Sequence, residues 1–425
     1  METIYALSSG RPPAAVSVIR ISGSKAHDAG RRLAGELPEG RHVALRQLTD
    51  PATGEVLDDA LVLRFDAPAS ATAEDVVEIQ CHGGRAVVDS ILTALGQIGG
   101  LREAQPGEFT RRAFENGRID LTEAEGLADL LEAETEAQRK AALALAEGGL
   151  TRQVANWQHH LLGLSAEAER AIDYDEDDEL GIDPGLLRGC EKLLGELHEW
   201  LGRPRTEVLK DGVRVVVAGP VNAGKSSLIN AIVGTERAIV SDVPGTTRDH
   251  IDVPLALGGL PILLTDTAGL RDTADRVEAI GIARASKLVG AADVLVWLGE
   301  PELAPQHPRL IKVHAKADLP GRETVPAGSI GVSSITGYGV SDILETVRAR
   351  SKEVMPADGA LSLNRRQAEL VGEAVGSLSA ALRAPDVVVL AESLRSARNA
   401  FDRLTGRAGV EDVLDALFGR FCLGK

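Results

Sequence analysis

The segment at 219–226 constrains the fold of this chain most, because its letters Gly-Pro-Val-Asn-Ala-Gly-Lys-Ser have the spacing of a phosphate-binding loop. An apolar run at 213–218, typical of a buried strand, precedes it, and a helical pattern follows from Ser227. In such a loop backbone N–H groups surround phosphates, Lys225 contacts the β- and γ-phosphates, and the Ser226 hydroxyl ligates Mg²⁺. The order strand, loop, helix therefore predicts an α/β nucleotide-binding domain.

Downstream motifs indicate a nucleotide switch. The letters Gly-Thr-Thr-Arg-Asp at 245–249 occupy the position of a first switch, where Thr247 would close on Mg²⁺ and the γ-phosphate. A strand-like run at 262–264 leads to Asp266, which would act through the Mg²⁺ shell. The N–H of Gly269 would then meet the γ-phosphate.

Two later segments predict a guanine site. Asp318 follows a strand-like run and can accept hydrogen bonds from N1 and the exocyclic amine of guanine, a donor pair that adenine lacks. Ser333 and Ser334 can offer a backbone N–H to guanine O6. Together the four motifs predict a Ras-like P-loop GTPase domain. The predicted GTP-binding residues are Asn222, Ala223, Gly224, Lys225, Ser226, Ser227, Ser241, Thr246, Thr247, Asp266, Thr267, Ala268, Gly269, Lys316, Asp318, Ser333 and Ser334.

The base site departs from the usual GTPase pattern at one position. Small GTPases usually carry Asn-Lys-x-Asp there, whereas Ala315 occupies the Asn position here. The side-chain amide that joins the base loop to the P-loop is absent, unless His314 substitutes for it. We expect weaker binding of the base, with the preference for guanine kept by Asp318.

The hydrolytic residues differ from those of Ras, because no glutamine follows Asp-Thr-Ala-Gly at 266–269. Asn222, opposite the oxygen-bearing residues of the first switch, could hold a monovalent cation beside the phosphates; alternatively, its amide stabilises the loop. Glu278, in a helical segment at 277–285, could orient the attacking water; alternatively, it is an ordinary surface carboxylate.

Composition and length limit the number of domains and the classes of function that the chain can have. The 425 residues exceed one typical core, and a net charge of −17 argues against broad electrostatic capture of nucleic acid. A bound RNA would therefore need a local basic patch or a more basic partner. Three widely spaced cysteines form neither a disulfide framework nor a metal cluster. We expect no signal peptide and no membrane span, and thus a cytoplasmic protein.

Four segments differ in their pattern. Residues 1–118 alternate strand-like and helical runs, which predicts an α+β domain. Residues 119–210 and 350–425 are helical, and they flank the α/β segment at 211–349. Because insertions are tolerated where two chain ends lie close together, we predict a discontinuous helical domain that carries an inserted GTPase domain.

The chain resembles the MnmE (TrmE) family of tRNA-modification GTPases over its whole length. The marks are the opening at 3–23, Glu-Ile-Gln-Cys-His-Gly-Gly at 78–84, Pro-Gly-Glu-Phe-Thr at 106–110, Asn-Gly-Arg-Ile-Asp-Leu at 116–121 and Phe-Cys-Leu-Gly-Lys at 421–425. The resemblance implies that residues 1–118 bind a tetrahydrofolate derivative and form a homodimer. The matching folate-binding positions are Arg20, Glu78, Arg118 and Lys425.

The resemblance also implies a reaction. A heterotetramer with the FAD-containing MnmG (GidA) protein would add a carboxymethylaminomethyl or aminomethyl group at C5 of the wobble uridine, U34, of certain tRNAs. The one-carbon unit would come from 5,10-methylene-tetrahydrofolate, and the 5-formyl derivative would bind the same site. Cys422 corresponds to a proposed catalytic cysteine. Glu278 would orient water, and K⁺ would bind Asn222, Ser241, the carbonyl of Val243 and Thr246.

Two departures and two alternatives accompany this interpretation. Residues 11–15 lack the glycines usual in the family opening, and Pro244 stiffens the first switch. One alternative is a GTPase switch of the ribosome-assembly type without covalent chemistry, which would lack Arg20, Glu78 and the C-terminal ending. The other is a folate-binding scaffold with a decayed GTPase, which Ala315 suggests.

Overall fold

The computed structural model describes residues 2–174, 182–204, 206–235, 237–238, 252–266, 288–357, 359–409, 411–421 and 424. The chain forms two compact units, one of residues 1–128 and 402–425 and the other of residues 129–401. Within the described ranges, no helix combines the length and the apolar character that a membrane span requires.

The first unit is built on an open six-stranded sheet. Its strands are β1 (Thr3–Leu7), β2 (Val16–Ser22), β3 (Val43–Thr49), β4 (Val56–Phe65), β5 (Val76–His82) and β6 (Leu101–Glu103). They lie in the order β3-β4-β5-β2-β1-β6, and all neighbours are antiparallel except β1 and β6. Alternation along β2 and β5 places Ile19, Ile21, Val77 and Ile79 on one fully buried face.

Helices complete the first unit, and the first two of them cover that buried face. They are α1 (Ala26–Ala34), α2 (Arg85–Gly96), α3 (Glu108–Glu115) and α4 (Leu121–Glu132). Leu33 of α1 and Ile91 of α2 pack on the sheet core. Near the end of the chain, Phe418 and Phe421 pack on Leu121 of α4, so the C-terminal segment belongs to this unit.

A buried arginine anchors α3. Arg112, 3% exposed, donates hydrogen bonds to Glu74 at 3.1 Å, to Glu108 at 3.0 Å and to the carbonyl of Glu2 at 2.8 Å. Glu108 also accepts two hydrogen bonds from Arg102, at 2.6 and 2.8 Å. A buried charge is tolerated only when it is paired, so this network holds α3 in one place.

Substituting Glu108 should destabilise the first unit in a pH-dependent way. Burial alone raises the pKa of Glu108, but hydrogen bonds from Arg102, the N–H of Gln105 and Arg112 outweigh it and lower the pKa to about 2. The stabilisation, on the order of 3 kcal/mol, is therefore present above the ordinary glutamate pKa and lost as the pH falls towards 2.

We expect Glu108→Gln to lower the free energy of unfolding at pH 7 and to flatten its decrease between pH 5 and 3, measured by urea unfolding. Glu115→Gln, which removes the partner of the more exposed Arg111 on the same helix, is the matched control. Equal unfolding midpoints for Glu108→Gln and the unsubstituted chain at pH 7 would contradict this account.

The second unit combines helices with a second sheet. Its helices are α5 (Glu136–Ala146), α6 (Gly149–Tyr174), α7 (Pro184–Leu201), α8 (Glu207–Asp211), α9 (Lys225–Thr235), α10 (Val340–Lys352), α11 (Arg365–Ala381) and most of α12 (Val387–Thr405); α13 (Glu411–Phe418) returns to the first unit. Buried Trp157 joins α6 to its neighbours: its ring centroid lies 5.4 Å from that of Trp200 and 5.6 Å from that of Phe401. These aromatic contacts form the helical core.

The second sheet positions the nucleotide motifs. Its strands are β7 (Val213–Ala218), β8 (Arg237–Ala238), β9 (Asp252–Leu257), β10 (Leu260–Asp266), β11 (Val294–Trp297), β12 (Leu310–Ala315) and β13 (Ile330–Val332). They lie in the order β13-β12-β11-β7-β10-β9-β8. The neighbours from β13 to β10 are parallel, so their carboxyl ends meet at one edge, where α/β proteins bind ligands.

Candidate functional site

The predicted phosphate loop runs from the end of β7 to the start of α9. Gly219 (φ 155°) and Gly224 (φ 97°) have backbone angles that favour glycine, and Asn222 (φ 60°) is left-handed. The N–H of Leu228 donates to the carbonyl of Gly224, the residue before α9, at 2.9 Å and so closes the first turn of the helix. The preceding N–H groups therefore form the anion-binding end of a helix, next to β7.

Parallel pairing of β7 with β10 brings the loop beside Asp266. Ser226 Oγ donates to Asp266 Oδ2 at 2.8 Å, and the Asp266 side chain is buried. Lys225, 8% exposed, donates to the carbonyls of Gly219 at 3.0 Å and Pro220 at 2.8 Å. A lysine at a helix N-terminus, with a hydroxyl and a carboxylate in contact, is the donor set that binds polyphosphate and Mg²⁺.

The predicted base loop lies against the phosphate loop. Lys316 (φ 60°) donates from Nζ to the carbonyl of Asn222 at 2.7 Å. The N–H of Ala317 donates to the carbonyl of Val332 in β13 at 3.0 Å, which brings the loop beside 333–334. Asp318 is exposed at this edge, as a residue that binds a base must be.

The segment after β13 is a constrained turn. Ser333, which is buried, donates its N–H to the carbonyl of Tyr338 at 3.0 Å, and its Oγ accepts from the N–H of Thr336 at 3.1 Å. Gly339 (φ 70°) is required here, because a Cβ would clash with the carbonyl oxygen of Gly331. The N–H of Ser333 is therefore already engaged within the turn.

His314 does not link the two loops. Its Nε2 donates to the carbonyl of Arg322 at 3.0 Å, and its Nδ1 lies 3.4 Å from Nη2 of the same arginine. The link between the base loop and the P-loop runs instead from Lys316 to Asn222. Sequence reasoning did not identify Arg322, since no motif marks it.

The structure describes only part of the predicted GTP and cation site. It brings together at one edge the phosphate-loop residues, Asp266 and the base-loop residues. Several predicted residues lie outside the described residues: Ser241, Val243, Thr246, Thr247, Thr267, Ala268, Gly269, Glu278, Cys422 and Lys425.

A second candidate site lies in the first unit, on the sheet face opposite α1 and α2. Arg20 Nε donates to Glu78 Oε1 at 2.9 Å; both side chains are partly exposed, at 22% and 18%. The Arg20 guanidinium lies 5.5 Å from the centroid of the Phe109 ring, carried by α3. Phe109 itself packs on Ile4 and Ala6. Sequence reasoning missed Phe109, although it belongs to the motif at 106–110.

The end of the chain approaches the same strands. Gly424 (φ 91°) is buried, and a Cβ there would clash with the carbonyl oxygen of Leu7 at the end of β1. The preceding residue of β1, Ala6, pairs directly with Arg20. Arg118 is exposed in the turn after α3, and its N–H donates to the carbonyl of Ala113 at 2.8 Å.

The two other thiols of the chain are not suited to nucleophilic chemistry. Cys81 and Cys190 are buried, and burial raises the pKa of each to about 11. A thiol with such a pKa is almost entirely protonated at neutral pH.

Taken together, these features define a P-loop GTPase unit and an α+β unit with an arginine–glutamate pair on one face of its sheet. The family description GTP-binding protein TrmE N-terminus matches residues 3–118, and MnmE helical domain matches residues 121–422. The chain belongs to the MnmE (TrmE) family of tRNA modification GTPases. The resemblance inferred from the motifs is thereby confirmed, as is the class of enzyme, a GTPase of tRNA modification.

Two relatives illustrate the similarity. The tRNA modification GTPase MnmE of Erythrobacter litoralis is 51% identical, and the alignment covers 100% of both chains. The protein of the same description from Rhizorhabdus wittichii is 50% identical over 100% of this chain and 97% of the relative. Among solved structures, the G domain of the T. maritima FeoB iron transporter is 25% identical and covers 33% of this chain and 98% of that chain. Its TM-score of 0.25 is too low to bear on fold or function.

Proposed function

We propose that this chain is a potassium-dependent GTP hydrolase that acts with a FAD-containing MnmG (GidA) partner. The complex would add a carboxymethylaminomethyl or aminomethyl group at C5 of U34 in certain tRNAs. One observation carries the proposal. This member of the family has the phosphate-loop residues Lys225 and Ser226 beside Asp266 in one unit, and an Arg20–Glu78 ion pair in the other. We place the protein in the cytoplasm and keep the domain boundaries at 1–118, 119–210, 211–349 and 350–425.

GTP would bind at the carboxyl edge of the second sheet. Lys225 would exchange its two carbonyl partners for β- and γ-phosphate oxygens, and Mg²⁺ would take Ser226 Oγ with Thr247 as its further protein ligand. Asp318 would accept from the guanine ring. Because the N–H of Ser333 already donates to Tyr338, Ser334 is the better donor to guanine O6.

Potassium would supply the charge that an arginine finger supplies in other GTPases. We place it between Asn222 and the first switch, at Ser241, the carbonyl of Val243 and Thr246, with Glu278 orienting water. The left-handed backbone of Asn222 and the anchoring of its carbonyl by Lys316 support this, because both keep Asn222 at the edge of the phosphate loop.

Replacing potassium by sodium at equal ionic strength should lower the GTP turnover rate of the purified chain by at least ~10³-fold, the lower range of an arginine-finger effect. The smaller sodium ion does not match a site built for potassium. Turnover is measured as phosphate release under excess GTP, with Mg²⁺ constant. Equal rates in the two salts would refute the potassium site.

The first unit would bind a tetrahydrofolate derivative, 5,10-methylene- or 5-formyl-tetrahydrofolate. Arg20, Arg118 and Lys425 suit the carboxylates of folate, and Glu78 suits the donor edge of the pterin. The buried Phe109 ring, 5.5 Å from the Arg20 guanidinium, helps to hold that side chain in place at the sheet face. The burial of Gly424 against β1 supports a role for the C-terminal tail, in which Lys425 is the surer contributor and Cys422 the weaker one.

A second copy of the chain would cover the open face of the first sheet. Leu45 lies opposite Leu61, and Val43 opposite Leu63, in a register that leads across the sheet to Glu78. Leu45 and Val43 are 65% and 56% exposed. Such an apolar face, next to the proposed folate site, favours a homodimer.

Light scattering on Leu45→Glu should show monomers, because the substitution places a charge in the apolar face. An unchanged dimer would contradict this interface.

The negative charge of the chain disfavours tRNA binding by this chain alone. A net charge of −17 favours the view that the MnmG partner carries most of the tRNA-binding surface. The alternative function is a GTPase switch of the ribosome-assembly type. The Arg20–Glu78 pair and the burial of Gly424 count against it, because a switch without covalent chemistry requires neither.

The experiment that tests the proposed function is mass spectrometry of wobble uridines in tRNA from cells that lack this chain. We expect the C5 modification to disappear, to return with the unsubstituted chain, and to stay absent with Arg20→Gln. Arg32→Gln, which removes an exposed arginine of α1, should restore it. An unchanged modification profile in the cells without the chain would overturn the proposal.

A further inference from the structure

The segment from His314 to Arg322 closes on itself beside the proposed guanine site. The N–H of Leu319 donates to the carbonyl of Lys316 at 3.1 Å, and the N–H of Arg322 donates to the carbonyl of Leu319 at 3.0 Å. Two successive turns therefore bring Arg322 back to the end of β12. There its Nε donates to the carbonyl of Ala315 at 3.0 Å.

His314 completes this closure from the other side. Because a carbonyl oxygen only accepts, the contact with the carbonyl of Arg322 requires the proton on Nε2 of His314. The neutral ring then offers Nδ1 as the acceptor for Nη2 of Arg322, at 3.4 Å. We name this set of three contacts among His314, Ala315 and Arg322 the Arg322 bridge.

The bridge surrounds the residues that would read the base. Lys316 and Asp318 lie between its two ends, Lys316 with a left-handed backbone and Asp318 exposed. Two other hydrogen bonds hold the same loop, from Lys316 to the phosphate loop and from Ala317 to β13. The Arg322 bridge is a third support, and it ties the far end of the loop to the end of β12.

We infer that Arg322 is a positioning residue for guanine recognition: the Arg322 bridge holds the loop that presents Asp318 against the end of β12, while Lys316 links that loop to the phosphate loop. Arg322 suits this task, because its guanidinium donates in two directions at once, to Ala315 and to His314. The inference rests on the guanine site proposed above and adds a residue to it.

The test compares GDP with IDP, whose hypoxanthine base lacks the exocyclic amine that Asp318 would bind. Dissociation constants of fluorescent GDP and IDP are measured on the full-length chain with Mg²⁺. We expect Arg322→Ala to weaken GDP binding roughly tenfold and to reduce the GDP-over-IDP preference, since losing hydrogen bonds to a charged donor has that magnitude. A general loss of folded protein would lower the active fraction and leave the preference unchanged.

Two further variants keep the test decisive. His314→Ala removes two contacts of the bridge but keeps the hydrogen bond from the Arg322 guanidinium to Ala315, so it should reduce the same preference by a smaller factor, even if Arg322→Ala folds poorly. Arg350→Ala removes an exposed arginine of α10 that pairs with Glu353, the residue after the helix, and should bind GDP and IDP as the unsubstituted chain does.

A double-mutant cycle separates failure of this inference from failure of the proposed guanine site. Asp318→Asn should abolish the GDP-over-IDP preference, and adding Arg322→Ala should then reduce it no further. If Asp318→Asn leaves the preference intact, the guanine site itself is wrong. If Asp318→Asn removes the preference while folded Arg322→Ala keeps it, only the role of Arg322 is refuted.

Discussion

Parallel pairing of β7 with β10 is the constraint on which the nucleotide chemistry of this protein depends. It places Asp266 at the end of one strand beside the loop that leaves the other, so that Ser226 and Asp266 meet at 2.8 Å. Both strands are nearly continuous apolar runs, as strands buried on two faces require. A slip of one residue would reverse every side chain on β10 and move Asp266 away from the phosphate loop.

In the first unit, buried ion pairs rather than strand register position the candidate site. Arg112 is buried at the centre of a network with Glu74 and Glu108, and this network fixes α3. Because α3 carries Phe109, the network also determines what lies next to Arg20. A buried ion-pair network thus determines the surroundings of Arg20 at the candidate folate site. The nucleotide site is a consequence of strand register.

Much of this could be predicted from local sequence. The strand at 213–218 has the predicted bounds, and the phosphate loop follows it as the motif requires. The strand-like runs expected within residues 1–118 include β2 (Val16–Ser22), where Ile19 and Ile21 are buried. In β3, by contrast, the apolar residues Val43 and Leu45 face solvent, so no buried pattern identified it.

Contacts between distant residues could not be predicted. The partners Arg112 and Glu74 are separated by 38 residues, and each is an ordinary surface residue type when taken alone. The Arg322 bridge could not be predicted from the sequence for a related reason. Its existence depends on how the chain turns between His314 and Arg322, eight positions apart, and no periodicity encodes that turn. Sequence thus names candidate groups, while tertiary packing determines how those that the structure describes are held.

The central claim is that the carboxyl edge of the second sheet is a guanine-nucleotide site, despite Ala315 in the base loop. Competition of GTP and ATP for the purified, Mg²⁺-saturated chain tests this most directly. The account predicts that unlabelled GTP displaces a fluorescent guanine nucleotide at concentrations at which ATP does not. Tighter binding of ATP than of GTP would contradict it.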